Sequence, residues 1–293
     1  MRRFTILLLI LFISCANKED SECNYITDYY PYTAKAEVEF YKGNYEDAYK
    51  YYQKAFKNCE AIRMGMQRDT DFFAKVCAEL NKESLAIEYI KKAISKGSTL
   101  GTFQNDESFN NIFKSEQGKK LIEEYDNMRQ KYINSLNMDL RNEIQEMIKI
   151  DQALLGHPEE RIKVFKKNDK RLVEILEKLG YPNEQVVGNF GVDFSSADPR
   201  ILLLHTDDSI RMSYFIPKIK ELVKKGQCPP ITLGSMYDNL EIYNDRPQTH
   251  GTYKNSRGNS NMIPDINRVN TNRKEIGLPS LKITKTIDSL KSL

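Results

Sequence analysis

KGNYEDAYKYYQKAF (42–56) aligns with LNKESLAIEYIKKAI (80–94) at an offset of 38 residues, and this register decides how the first half of the chain folds. Ala48 falls on Ala86, Tyr52 on Ile90, Ala55 on Ala93 and Phe56 on Ile94. A small residue lets two helices approach, and a large one four positions on fills the gap beside the contact, so stacked helix pairs repeat this spacing. The pattern predicts one pair over Thr33 to Tyr41 and Tyr45 to Asn58, and a second over Asp71 to Leu80 and Glu83 to Lys96, with Gly97 as the stop. Two pairs do not close a stack by themselves, so flanking helices or a second domain must cap it.

The repeat resembles the tetratricopeptide repeat, whose unit is about 34 residues long, with extra residues around Gln67 to Thr70. That resemblance implies a scaffold for a protein or peptide partner over 33–134, the last part being a capping helix from Glu116 to Asn134. Apolar residues make up 40% and charged residues 29% of the 293, a balance that excludes both a disordered chain and one built of membrane spans. Lys and Arg number 44 against 41 Asp and Glu, an excess of three. Without Arg2 and Arg3 the excess is one, which gives no electrostatic reason to expect nucleic acid as a partner.

The N-terminus is of another kind. Arg2 and Arg3 precede an apolar run from Phe4 to Ile13 that is too short to span a bilayer, and Ser14 then leads into Cys15. This resembles a bacterial lipoprotein signal, which implies cleavage after residue 14, acylation of Cys15 and a membrane as partner through the lipid anchor. Residues 15–32 read as a tether, and the Lys18, Glu19, Asp20 run resembles an outer-membrane sorting signal; the expected location is the cell envelope, on the outer membrane. Cys59 ends a second helix and its antiparallel partner begins a few residues after Cys23, so Cys23 with Cys59 is the expected disulfide. Cys77 reads as a buried thiol and Cys228 as a structural or disulfide cysteine.

Beyond a boundary at Ser135 to Met138, residues 135–281 read as a second helical domain with a small hairpin or irregular C-terminal part, and 282–293 as a tail. The overall expectation is a mainly α chain. On a helix from Asp139 to Leu155 the apolar stripe of Leu140, Ile144, Met147 and Ile148 runs onto Asp151, with Gln152 at its edge. A carboxylate on a buried face needs a partner. A helix from Pro158 to Leu179 follows, with Phe165, Leu172, Ile175, Leu176 and Leu179 inward, and then a loop over 183–197. In ILLLHTDDS (201–209) the face of Ile201 continues through His205, Asp208 and Met212, which turns two more polar groups inward. Pro217 calls for a kink near Ser213, and a helix from Thr232 to Tyr243 precedes DRPQTHGTY (245–253), where Gln248 to Tyr253 could pair with Asn261 to Ile263 as a hairpin.

Several short motifs stand in order: DQ at Asp151 and Gln152, LEKLGYP at 176–182, LLLH at 202–205 followed by Asp207 and Asp208, YD at Tyr237 and Asp238, RPQTHG at 246–251, and NRKEIGLPSL at 272–281. Their order resembles an uncharacterised bacterial domain found in lipoproteins and other exported proteins, from which this chain departs at Asn239, His250 and Tyr253. From the residues themselves, His205 flanked by Asp208 and Asp151 could serve as a general base, while Gln152, Asp207, Asp238, Arg246, Gln248 and His250 are candidate binding groups. This leaves two functions: a binding or scaffold protein with a polar pocket, or a hydrolase working through His205. No cofactor is implied. A mixed site of His205, Asp208, Asp151 and His250 is the metal arrangement considered, but no HExxH or similar spacing supports it, so no metal is expected.

Overall fold

The computed structural model describes residues 23–154, 156–254, 263 and 265–292. The signal peptide expected over 1–14, the acylation expected at Cys15 and the start of the expected tether lie outside the described residues. The chain is mainly α-helical, and no described helix is long and apolar enough to cross a membrane.

The two helix pairs form where the repeat register puts them. Helices α1 (Tyr30–Tyr41) and α2 (Tyr45–Ala55) pack as the first pair, and α3 (Asp69–Glu79) and α4 (Glu83–Ser95) as the second. Ala48, Ala55, Ala86 and Ala93 are buried at the contacts, beside Tyr52 and Ile90. Phe73 sits at the centre of this core, 4.5 Å from the Tyr89 ring and 5.4 Å from Tyr49 between centroids. The residues beyond a plain repeat make a short antiparallel hairpin, β1 (Arg63–Met64) with β2 (Gln67–Arg68), turned at Gly65. Two-residue strands leave no alternation for a sequence to display. After the short helices α5 (Gly101–Gln104) and α6 (Asn110–Lys114), α7 (Glu116–Ser135) lies along α4, where Lys91 and Glu124 pair at 2.6 Å.

The expected tether is shorter than 15–32. Asn24 caps a π-helical turn over Tyr25–Tyr29 that runs directly into α1, and Tyr29 and Tyr30 are buried. Tyrosines carry enough apolar surface to enter a core, which a reading of polar character alone overlooks. The core they join also contains Leu176, Phe215, Met236 and Ile276, so both halves of the chain share it. The boundary at 135–138 is accordingly a tight turn: Leu136 is buried and the Asn137 amide donates to Val186 O at 2.8 Å. Cys23 and Cys59 are bonded to each other, fixing the start of the fold to the end of the first pair. Cys77 is buried, and burial pushes its thiol up to about 12.

The second half consists of α8 (Met138–Ala153), α9 (Pro158–Leu179), α10 (Arg200–Leu204), α11 (Asp208–Ile210), α12 (Ile216–Lys224), α13 (Pro230–Tyr243), α14 (Ile266–Glu275) and α15 (Leu281–Lys291). Pro217 lacks the amide that a continuing α-helix would need, and the chain relieves this with a π-helical turn over Arg211–Phe215. Leu179, expected inward, is 48% exposed because α9 is in its last turn there. The tail is also ordered: Lys291 of α15 pairs with Glu37 of α1 at 2.7 Å. Gln248 to Tyr253 form no strand, so the hairpin expected there is absent from the described residues.

One buried acid gives the shared core a pH dependence. Tyr29 Oη donates to Asp69 Oδ2 at 2.8 Å, and burial pushes the Asp69 carboxyl up to about 7. In the unfolded chain the same group titrates near 3.9. The folded state therefore holds the extra proton between about pH 4 and pH 7, and stability falls as pH rises through that window and levels off above it. Asp69→Asn should flatten this slope in urea unfolding midpoints measured from pH 4 to pH 8. A slope unchanged from the parent protein would contradict the assignment.

Candidate functional site

The site is built on the last turn of α8, one face of α9 and the segment that follows α10. Asp151 is fully buried, and His205 Nδ1 lies 2.8 Å from its Oδ2. Gln152 Nε2 donates to the same oxygen at 2.7 Å. On the other side of the ring, Arg161 Nη2 stands 3.4 Å from His205 Nε2. A guanidinium can only donate, so Nε2 accepts and Nδ1 carries the proton toward Asp151; one tautomer satisfies every contact. Phe165, one turn along α9 from Arg161, stacks on the imidazole at 5.2 Å, and the Arg161 guanidinium lies 4.9 Å from the centre of the Phe165 ring.

Further along the same face come Asn168 and Asp169, both buried. Asp169 Oδ2 accepts the Asp207 amide at 3.2 Å, and burial pushes its carboxyl up to about 6. Four buried polar atoms here have no hydrogen-bond partner: Asp151 Oδ1, Arg161 Nε, Asn168 Nδ2 and Asp169 Oδ1. Among the described residues only three other buried side-chain atoms share that condition, on Tyr30, Tyr52 and Gln67. Buried polar groups are nearly always paired, so their concentration along α9 sets this region apart from the rest of the fold.

Arg211 closes the far end of the cluster. Its guanidinium is buried and donates to Thr206 Oγ1 at 3.0 Å, to the carbonyls of Leu204 and Thr206 at 2.7 Å each, and to Asn239 Oδ1 on α13 at 3.1 Å. The segment after α10 is thereby fixed against α13.

The second polar cluster is organised around Asp238 and is of a different kind. This buried carboxylate accepts the amides of Thr249, His250 and Thr252 and the Thr252 hydroxyl, all at 2.8 Å. Gln248 donates to Tyr253 O at 3.0 Å and accepts the Tyr253 amide at 2.9 Å. Arg273 Nη1 holds His250 O at 2.7 Å, and burial brings this guanidinium down to about 10. His250 stacks on Tyr237 at 4.9 Å, and burial pushes its imidazole down. These bonds from α13 and α14 wind residues 248–253 onto α13.

The structure thus brings together some of the expected residues and separates others. Asp151, Gln152 and His205 meet, whereas the Asp207 amide donates to Asp169 further along α9. Asp208 does not join them: its side chain is 62% exposed and turns toward Arg211, at 3.7 Å. Helix α10 stops at Leu204 and Asp207 caps α11, so the single helical face expected from Ile201 to Met212 is broken between them. Arg246 is an exposed partner of Glu241 at 2.6 Å, and Asp238, Gln248 and His250 belong to the wound loop. Among the described residues no three His, Cys, Asp or Glu side chains gather as metal ligands would, so the mixed His205, Asp208, Asp151 and His250 arrangement is not assembled.

Arg161, Asn168, Asp169 and Arg211 carry the site without having been read from the sequence. Asn168 and Asp169 lie three and four residues beyond Phe165, where the inward stripe of α9 runs on to Leu172, and this was the available signal. No family model, no curated protein and no solved structure matches this chain.

Proposed function

We propose that this is a lipid-anchored protein of the bacterial cell envelope, on the outer membrane, that binds a small polar ligand between α8, α9 and residues 204–211. In this reading the helix pairs brace that site and offer a surface to a protein partner. The observation that carries the binding reading is the set of partnerless buried atoms on Asp151, Arg161, Asn168 and Asp169. Each unmade hydrogen bond costs about 1–3 kcal/mol, so retaining four in one region is explained if a ligand completes them. Arg161 and Asn168 offer donors and Asp151 an acceptor, which fits a molecule bearing both kinds of group.

A second reading, hydrolysis, is favoured by the 2.8 Å contact between Asp151 and His205. A buried carboxylate that holds Nδ1 makes Nε2 a general base toward water once Arg161 turns from it to the substrate, the arrangement used in acyl transfer. Arg161 would then hold an anionic part of the substrate.

Thermal unfolding against a panel of amino acids, monosaccharides and nucleotides tests the first reading. A compound present at a hundred times its Kd should raise Tm by about 5 °C. That gain should vanish in His205→Ala and Asn168→Leu. An equal gain in parent and variants would place binding elsewhere and count against the site. Product analysis with the stabilising compound tests the second: turnover that persists in both His205→Ala and Asp151→Asn would sink the hydrolase.

A further inference from the structure

The loop after α9 carries two phenyl rings into solvent. Phe190 is 61% and Phe194 80% exposed, with ring centroids 6.0 Å apart. Phe194 holds a φ of 61°, a left-handed conformation that is costly for a bulky residue. The loop beneath is firmly braced. Asn189 Nδ2 donates to Gly97 O at 2.8 Å, Arg129 Nη2 to Gly191 O at 3.0 Å, and buried Arg141 to Ser195 O at 2.7 Å. Beside it, Met64 and Gly65 of the hairpin share with Phe190 the walls of a cavity of about 150 Å³, and the next residue, Met66, is 80% exposed. Three large apolar side chains are thus held out at one end of the fold.

The chain enters the fold at that same end. Tyr25, two residues from Cys23, lies flat on Gly226, its ring 2.6 Å from where a Cβ would stand. The next residue, Gln227, accepts from Asn183 Nδ2 at 3.0 Å, and Asn183 lines the cavity. Eight residue steps separate Cys23 from Cys15, a reach of at most about 28 Å. The nearby carboxylates are engaged, Glu184 with Arg63 at 2.8 Å and Asp193 with Arg141, which limits repulsion by an anionic surface.

We infer that Phe190, Phe194 and Met66 enter the interface of the lipid bilayer that holds Cys15, giving the anchored protein a second contact and a fixed orientation. The inference rests on the lipid-anchor reading. Aromatic rings and flexible apolar side chains suit that interface, and a rigid loop loses little freedom on entering it.

The sequence contains no Trp, so Phe194→Trp and, as a control at another exposed aromatic, Tyr243→Trp each give a single reporter. The full-length acylated protein would be reconstituted in phosphatidylethanolamine and phosphatidylglycerol vesicles with and without brominated chains. Flotation of the parent but not of Cys15→Ala establishes the anchor. With it established, a blue shift and loss of emission from Phe194→Trp, absent from Tyr243→Trp, is the expected result. Emission unaffected by brominated lipid in floating protein overturns the insertion and leaves the anchor standing. Equal quenching of both reporters overturns it in favour of unspecific adsorption. A blue shift that depends on protein concentration and needs no lipid overturns it in favour of a second copy or another protein. Failure of the parent to float removes the anchor and the inference together.

Discussion

Arg141→Met should lower stability by about 4–5 kcal/mol, with Tm falling by about 10 °C. Arg141 projects from α8, is fully buried, and is the only described side chain that ties that helix to both ends of the loop over 187–195. It donates to Val187 O at 2.7 Å, Gly188 O at 3.1 Å and Ser195 O at 2.7 Å, and embraces Asp193 through Nε and Nη2. Methionine fills much of the volume but offers no donor, so three carbonyls lose the guanidinium in one step and Asp193 loses its ion pair, keeping only Gln145 and the Ser195 amide. Arg141 also holds the Asp193 carboxyl well below the usual carboxylate range. A depressed carboxylate contributes stability that is present above the unfolded value near 3.9 and lost as pH falls through the folded one. The gap between parent and variant should therefore be widest near neutrality and narrow below about pH 3. Urea unfolding at pH 7 and pH 3 reads both effects, and a loss below about 1 kcal/mol at pH 7 would show that the loop is held by other means.

Asp238→Ala comes next, with an expected loss of about 3–4 kcal/mol. Three amides and two hydroxyls converge on this carboxylate, and alanine leaves the amides without acceptors unless the loop opens to water. Opening would free His250 from Tyr237 and break the two hydrogen bonds between Gln248 and Tyr253. Asp238→Asn should lose less, because Oδ1 can still serve Thr249 and His250 while its amide group meets the Thr252 amide head-on. Hydrogen exchange at Thr249, His250 and Thr252 distinguishes the cases. Protection retained in the alanine variant would mean that Arg273, through its bond to His250 O, suffices to hold the loop.

The regular elements were legible because their information is local. The Ala48 and Ala86 register gives both helix pairs within a few residues, and α9 begins and ends where Pro158 and Gly180 place it. Asp151 was legible for a related reason: a carboxylate interrupting an apolar stripe requires a partner, and His205 meets it. Applied to α9, the same reasoning points to Asn168 and Asp169, which fill the gap in the stripe between Phe165 and Leu172. Asp208 was misplaced because three-residue spacing implies a shared face only while one helix continues, and His205 to Asp207 break it. Arg141 and Arg211 were hidden by charge, since nothing in a helical period tells a buried arginine with backbone carbonyl partners from a solvated one. The shared core was also out of reach, because it gathers Tyr29, Phe215 and Ile276 from distant parts of the chain.

The polar cluster around His205 is proposed to receive a ligand. Nitrogen-15 spectra of the imidazoles test it most directly, since the chain has only three histidines, His157, His205 and His250, and one substitution each assigns them. Without ligand, His205 should show a protonated Nδ1 and an unprotonated Nε2. On adding a compound that raises Tm, the His205 Nε2 resonance should move while those of His250, locked in its loop, stay fixed. A stabilising compound that shifts His250 or His157 and leaves His205 unmoved would contradict it.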